Sequence, residues 1–334
     1  MPSEMDAYTI EEFGGPDVFE RTTTAVPDPA PNEIRVEVVA SSVNPVDYKV
    51  RQGHIPDFAP DFPATLHCDV AGVVDATGED VEAFEAGDEV YGMPGGVGRQ
   101  GSLADYVVGH AGTFAHAPDS LSLEESAALP VVALTAWEML ADKTTVDIGD
   151  DVLVYGATGG VGHIGVQLAD WFGATVTATG SSEAKRALAA DLGADHTVDY
   201  TQTAVESYVA DHTDGHGFDV VFDPIGDDHL NTSFEAVRPY GAVVTTESSD
   251  AGDVDLAPMH AASLELGVVL VIHPVLAGAG QERIGAELET IATLVDKGVI
   301  VPRIDARYAF DEVADAHRHA ERGDFVGKLL LVNE

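Results

Sequence analysis

Two groups of residues in this chain have the types and spacing to hold a phosphorylated cofactor. The first is Asp151-Val152-Leu153-Val154-Tyr155-Gly156-Ala157-Thr158-Gly159-Gly160-Val161-Gly162, which reads as a strand, a glycine turn and a helix start. Small residues at Gly156, Ala157, Thr158, Gly159, Gly160 and Gly162, with Val161 among them, would let the backbone approach a pyrophosphate, and free N–H groups at the helix start would bind its charge. A tight glycine turn with no ligand looks the same in isolation, so the context matters. His163 to Phe172 carries an apolar face through Ile164, Val166, Leu168 and Trp171, and Ala174 to Thr179 reads as the next strand. The second group follows that strand, where an NAD enzyme needs an acid for the ribose hydroxyls. Gly180 stands there instead, followed by Ser181, Ser182, Lys185 and Arg186, donors and cations suited to a 2′-phosphate. NADPH is therefore the expected cofactor, beside the plainer reading of Lys185 and Arg186 as solvated helix residues.

The elements that must position these groups change character along the chain. Residues 1 to about 120 read as β-rich, with strands near Ile34 to Ala40, Ala71 to Ala76 and Glu89 to Gly92 broken by prolines and glycines, and suggest a barrel-like domain. A helix is expected through Ala127 to Leu140. Strand and helix then alternate through Asp151–Tyr155, Val161–Phe172, Ala174–Thr179, Glu183–Leu192, Asp219–Asp223 and Ala242–Thr246, the pattern of a doubly wound parallel sheet. Gly226, Thr246 and Ser248 follow strands of that sheet, at the ends where open α/β sheets take their ligands. A helix over Gln281–Lys297, a short strand at Val299–Ile304 and a last strand at Lys328–Val332 read as returning to the first domain.

At 334 residues with 45% hydrophobic content, the chain can build two cores. It contains no 18-residue apolar run, and its acidic N-terminus lacks the positive segment of a secretory signal, so a cytoplasmic address is expected. Cys68 is the single cysteine, which excludes intrachain disulfides and multi-cysteine zinc sites. Against 58 Asp and Glu stand 16 Lys and Arg, a formal net charge of -42 spread along the chain. Such a surface repels nucleic acid and anionic membranes. With only five lysines, it suggests a host living at molar salt, where self-repulsion is screened to a few Å; a merely acidic mesophilic protein is the plainer reading.

Asn44-Pro45-Val46-Asp47, Arg51-Gln52-Gly53, Gly72-Val73-Val74, Gly87-Asp88-Glu89-Val90-Tyr91, Leu134-Thr135-Ala136-Trp137, the glycine turn and a closing Gly327-Lys328-Leu329-Leu330-Leu331 occur here in one order. In that order they resemble the quinone oxidoreductase (zeta-crystallin-like) branch of the medium-chain dehydrogenase/reductase superfamily, over nearly the whole length. The resemblance implies a GroES-like catalytic domain from both chain ends (residues 1–121 and 277–334), a central Rossmann domain (122–276) and a homodimer or homotetramer. Ala157 stands where the usual fingerprint has its first glycine, a replacement common in this branch. Zinc-dependent members carry catalytic ligands at positions that are here Asn44, Cys68 and Val131, and an amide and a valine cannot complete a tetrahedral zinc site. The structural four-cysteine lobe is missing too, and His67 and Asp69 beside Cys68 read as packing and hydrogen-bonding residues. No metal is expected.

Hydride delivered to a quinone or an enone leaves negative charge on oxygen, which the protein must meet with a donor. Asn44 is the best match, with Asp47 orienting it or capping the following turn; a structural Asx-turn at Asn-Pro is the alternative. Lys49 falls where many relatives have tyrosine, and Lys49 or Arg51 would suit an anionic acceptor such as a coenzyme A thioester, or would be snorkelling surface cations. The resemblance further implies that Thr135 lies beside the nicotinamide, Tyr200 near the 2′-phosphate and Lys328 among the cofactor residues. The other histidines, His317 and His319 among them, show no ligand spacing. The reading is an NADPH-dependent quinone reductase working without zinc on a small-molecule quinone or enone. An enoyl-thioester or enone reductase is the first alternative and a non-catalytic NADPH-binding protein the second.

Overall fold

Val36, Val38 and Ala40 point into a core along strand Glu33–Ser42, which organises the first of two compact units. The computed structural model describes residues 3–248 and 252–333. The first unit comprises Met1–Leu134, Ile272–Gly298 and Pro302–Glu334. Its seven-stranded sheet runs Ile304–Ala309, Lys328–Val332, Glu33–Ser42, Val70–Thr77, Glu89–Gly92 and Phe114–His116, with Tyr106–His110 paired to the first half of Glu33–Ser42. Lys328–Val332 joins antiparallel at Ala40–Ser42, and so places Lys328 beside the residues that follow strand Glu33–Ser42. A smaller sheet orders Glu20–Ala25, Glu4–Ile10 and Ala64–Thr65.

The second unit, Thr135–Val271 with Val299–Val301, is a six-stranded parallel sheet. Its order is His196–Val198, Thr175–Thr179, Asp151–Val154, Phe218–Asp223, Val237–Thr245 and Glu265–Val268. Numbered in chain order, this is 3-2-1-4-5-6, the doubly wound dinucleotide-binding topology. Leu153, Val221 and Val243 from its centre pack with Phe218, Phe234 and Tyr208 in one core.

Three stretches differ from the sequence expectation. The helix expected over Ala127–Leu140 begins only at Pro130, as Pro130–Trp137 running into a π-helical turn Glu138–Asp142, and a separate short helix Leu123–Ser126 precedes it. Pro130 cannot continue a preceding helix but suits a first helical position. Residues 122–134 group with the first unit, where Val131 N–H donates to Asp69 at 2.8 Å, so the division falls after Leu134 rather than at 121/122. The strand expected at Val299–Ile304 does not form over residues 299–303. Val301 N–H is taken by Gln167 Oε1 at 2.8 Å, Pro302 has no N–H to give, and pairing starts only at Ile304–Ala309.

Candidate active site

Sheet order reverses between Asp151–Val154 and Phe218–Asp223, so the segments leaving these strands diverge at their C-terminal ends and open a crevice. The first segment turns at Gly156, whose φ of +57° is left-handed, and enters helix Gly160–Phe172 from Gly159. The turn is tightly wound: a Cβ on Gly162 would stand 2.1 Å from the Gly156 carbonyl oxygen. Ala157 and Thr158 are buried beneath it, and the N–H groups of Gly160, Val161 and Gly162 begin the helix without intrahelical acceptors. His163 pins the turn from below, its Nδ1–H donating to the Gly159 carbonyl at 2.9 Å. A dinucleotide pyrophosphate fits this cradle, because close backbone approach, absent side chains and unpaired N–H groups coincide.

The second segment is held by Asp223, which is fully buried. Its Oδ1 accepts the N–H groups of Ile225 (3.0 Å) and Gly226 (3.1 Å), and its Oδ2 meets His229 Nδ1 (2.9 Å) and Ser233 Oγ (2.7 Å). Burial pushes the carboxyl up, but these partners outweigh it and hold it below the usual carboxylate range. Thr246 Oγ1 donates to Pro224 O at 3.2 Å, which ties the next strand end to this loop, while Ser248 is exposed beyond it. Between the segments lies a cavity of about 420 Å³ lined by Gly156, Thr179, Tyr200, Tyr208, Ile225 and His229, among others. Tyr200 is half exposed at its rim. The sequence reading missed Asp223 and His229 as loop organisers; an acid at a strand end followed by Pro-Ile-Gly was the available signal.

After strand Thr175–Thr179, Ser182 Oγ caps helix Glu183–Asp191 by accepting the Lys185 N–H at 3.2 Å. Arg186 is not a solvated helix cation. Its Nη1 donates to Gly180 O at 3.2 Å and pairs with Asp199 at 2.8 Å. The guanidinium thus closes the corner behind Gly180, while Ser181 is exposed and Lys185 half-buried beside it. Thr135 is buried in helix Pro130–Trp137.

The other sequence candidates gather in the first unit. Asn44 precedes helix Pro45–Arg51, and Asp47 accepts its backbone N–H at 2.7 Å. The Asp47 carboxylate therefore acts on the backbone as a cap. The side chain of Asn44 is held by two others: Nδ2 donates to Asp69 Oδ2 at 2.7 Å, and Oδ1 accepts from Lys328 Nζ at 2.6 Å. Lys328, expected among the cofactor residues, is 2% exposed and spends its ammonium on Val43 O (2.9 Å), Asn44 Oδ1 and Asp69 Oδ2 (3.3 Å). These contacts place it in the Asn44 cluster. Burial pushes the Asp47 carboxyl up to about 7 against the pull of the Asn44 N–H, and pushes the Cys68 thiol up as well. Arg51 is fully buried and paired through Nη2 with Glu321, while its Nε and Nη1 are buried without a hydrogen-bond partner among the described residues. Lys49 is half-buried on the same helix.

Two histidines without a sequence rationale lie below this cluster. His67 has a φ of +74°, and its Nε2 meets His317 Nε2 at 2.8 Å, while its Nδ1 lies 3.1 Å from Ser41 Oγ. Burial drives both imidazoles down, His67 to about 3. No group of three or more His, Cys, Asp or Glu positioned to hold a metal occurs among the described residues. The ammonium of Lys328 stands among the candidate donors, and Asn44 and Val131 offer no anionic ligand, so a catalytic zinc does not fit.

A parallel sheet of this order with a tight glycine turn at its switch point is the architecture of a dinucleotide-binding domain. The comparisons with known proteins agree. Residues 30–119 match the alcohol dehydrogenase GroES-like domain and residues 192–331 the zinc-binding dehydrogenase family. The chain is 33% identical to a 2-methylene-furan-3-one reductase of Solanum lycopersicum, over 99% of this chain and 80% of that protein. A solved alcohol dehydrogenase superfamily protein of Novosphingobium aromaticivorans superposes with a TM-score of 0.93 at 36% identity, covering 99% of this chain and all of the other. Escherichia coli quinone oxidoreductase, solved with NADPH, superposes with a TM-score of 0.86 at 26% identity, covering 98% and 99% of the two chains. The chain belongs to the medium-chain dehydrogenase/reductase superfamily, in its quinone oxidoreductase branch, and is an NAD(P)H-dependent oxidoreductase.

Proposed function

We propose that this protein reduces a quinone with NADPH and without zinc. The observation that carries the reading is Asn44, an amide held between Lys328 and Asp69 at a position where zinc-dependent relatives place a ligand. Such a donor can meet charge developing on an acceptor oxygen without a metal. Bound NADPH would supply a hydride carrying two electrons, leaving NADP⁺, while the reduced acceptor takes its proton from water. Gly156 to Gly162 would hold the pyrophosphate, and Ser181, Lys185 and Tyr200 the 2′-phosphate. Reversing one of these charges tests the cofactor choice: Lys185→Glu is expected to cut the preference for NADPH over NADH by at least about tenfold, or about 1.4 kcal/mol. An unchanged NADPH/NADH ratio of kcat/KM would remove Lys185 from the site.

A second reading, reduction of an enone, is favoured by the likeness to the tomato furanone reductase. Both are tested by NADPH oxidation in molar KCl with a simple quinone, a free enone and an α,β-unsaturated thioester in parallel. Quinone turnover alone supports the first reading, and preference for the enone or thioester the second. A homodimer or homotetramer in the cytoplasm belongs to the same proposal. The parallel sheet ends at Glu265–Val268, beside which Val268 and Leu270 are exposed, an edge that a second copy could cover. No helix among the described residues is long and apolar enough to cross a membrane.

The charge of -42 supports a halophilic host. Raising KCl from 0.1 to 2 M shortens the screening length from about 10 Å to a few Å and is expected to raise the melting temperature by about 10 °C. A melting temperature insensitive to salt would leave the protein merely acidic.

A further inference from the structure

Around Asn44 the donors and acceptors can be counted one by one. Lys328 Nζ has three hydrogens and three acceptors: Val43 O, Asn44 Oδ1 and Asp69 Oδ2. Asp69 is equally committed, taking Val131 N–H on Oδ1 and Ser42 Oγ, Asn44 Nδ2 and Lys328 Nζ on Oδ2. The orientation of the Asn44 amide is therefore dictated, since an ammonium can only donate and a carboxylate can only accept. One donor remains in this set: the second hydrogen of Asn44 Nδ2.

We infer that Lys328 and Asp69 are positioning residues that act through Asn44, locking its amide so that this hydrogen is aimed at, and strengthened for, the acceptor oxygen. The inference rests on Asn44 being the donor of the proposed reaction. Lys328 pulls electron density toward Oδ1 through a charge-assisted bond, which makes the remaining N–H a better donor. With Asn44, Asp69 and Lys328 all buried, that polarisation is not screened by water. Burying an ammonium and a carboxylate carries a desolvation penalty that a well-packed apolar pair would not. As a rigid clamp the pair also spares the amide any reorganisation when charge develops.

The test is a double-mutant cycle on the intact protein in molar KCl: wild type, Asn44→Ala, Lys328→Met and the double variant, with kcat and KM for the quinone measured separately. NADPH affinity is read independently from protein fluorescence. Asn44→Ala is expected to lower kcat about 100-fold and Lys328→Met about tenfold, with the double variant no worse than Asn44→Ala and NADPH affinity within about threefold throughout. Losses that multiply would overturn the inference, since Lys328 would then act independently of Asn44. So would weakened NADPH binding with an intact kcat, which would return Lys328 to the cofactor. An Asn44→Ala variant with full kcat would instead defeat the donor reading itself. Lys328→Gln, which keeps length and polarity without charge, is run beside Lys328→Met in case the latter does not fold, and Lys328→Arg is expected to restore part of kcat.

Discussion

Gly162→Val is expected to abolish measurable turnover and weaken NADPH binding by about 100-fold, equivalent to about 2.8 kcal/mol. The cause is local. Any Cβ at this position meets the Gly156 carbonyl oxygen at 2.1 Å, and valine adds two methyl groups in the first turn of the helix. Either Gly156 moves or the helix start withdraws, and each change spoils the alignment of N–H groups that would face the pyrophosphate. Backbone sits on both sides of the contact, so the strain cannot be relieved by a rotamer, and about 1–3 kcal/mol of stability should go with it. Fluorescence titration with NADPH, beside a denaturant curve showing a folded protein, measures both effects. Retention of wild-type affinity would mean that the turn does not hold the cofactor.

The second large effect is acid sensitivity centred on His67 and His317. Both are buried and neutral, with Lys328 and Arg51 further disfavouring their protonation. In the unfolded chain they bind protons near pH 6.5, whereas folded His67 does so only at about 3. A folded pKa depressed below the unfolded one gives stability that is complete above pH 6.5 and lost as the pH falls toward 3. Each imidazole then costs about 1.4 kcal/mol per pH unit through that window. Asp47 works in the opposite sense. Its carboxyl, raised from 3.8 to about 7, gains stability as pH falls from 7 to 4 and offsets one of the two. From these three groups the expected slope between pH 6.5 and 4 is about one proton, which Asp47→Asn should steepen toward two and His317→Gln should nearly cancel. Urea midpoints against pH at constant KCl measure it. A His317→Gln curve parallel to wild type would show that the pair does not control acid stability.

The legible parts of this protein were those in which the chain encodes structure locally. The strand, glycine turn and helix from Asp151 to Phe172 were readable because close backbone approach needs glycine at particular places, and apolar periodicity marks the helix face. Strand Glu89–Gly92 and the closing Lys328–Val332 fell where alternation and composition placed them. The reach of Asn44, Asp47, Gly180 and Lys185 as candidates came from residue type and order alone.

Tertiary structure decided what those side chains do, because their partners come from distant segments. Lys328 could not be recognised as the partner of Asn44 across 284 residues until Lys328–Val332 paired with Glu33–Ser42. Arg51 reads as a free cation until Glu321 closes on it, and Arg186 as a solvated helix residue until Asp199 does. His67 and His317 form a pair only because their elements pack in one core. Sequence alone determined the family, through motifs ordered along nearly the whole chain, and the parallel sheet and the glycine turn, both written in short-range pattern. Burial and long-range hydrogen bonding determined which charges are spent on the fold and which remain for chemistry, since a side chain's environment is set by neighbours that the linear order does not reveal.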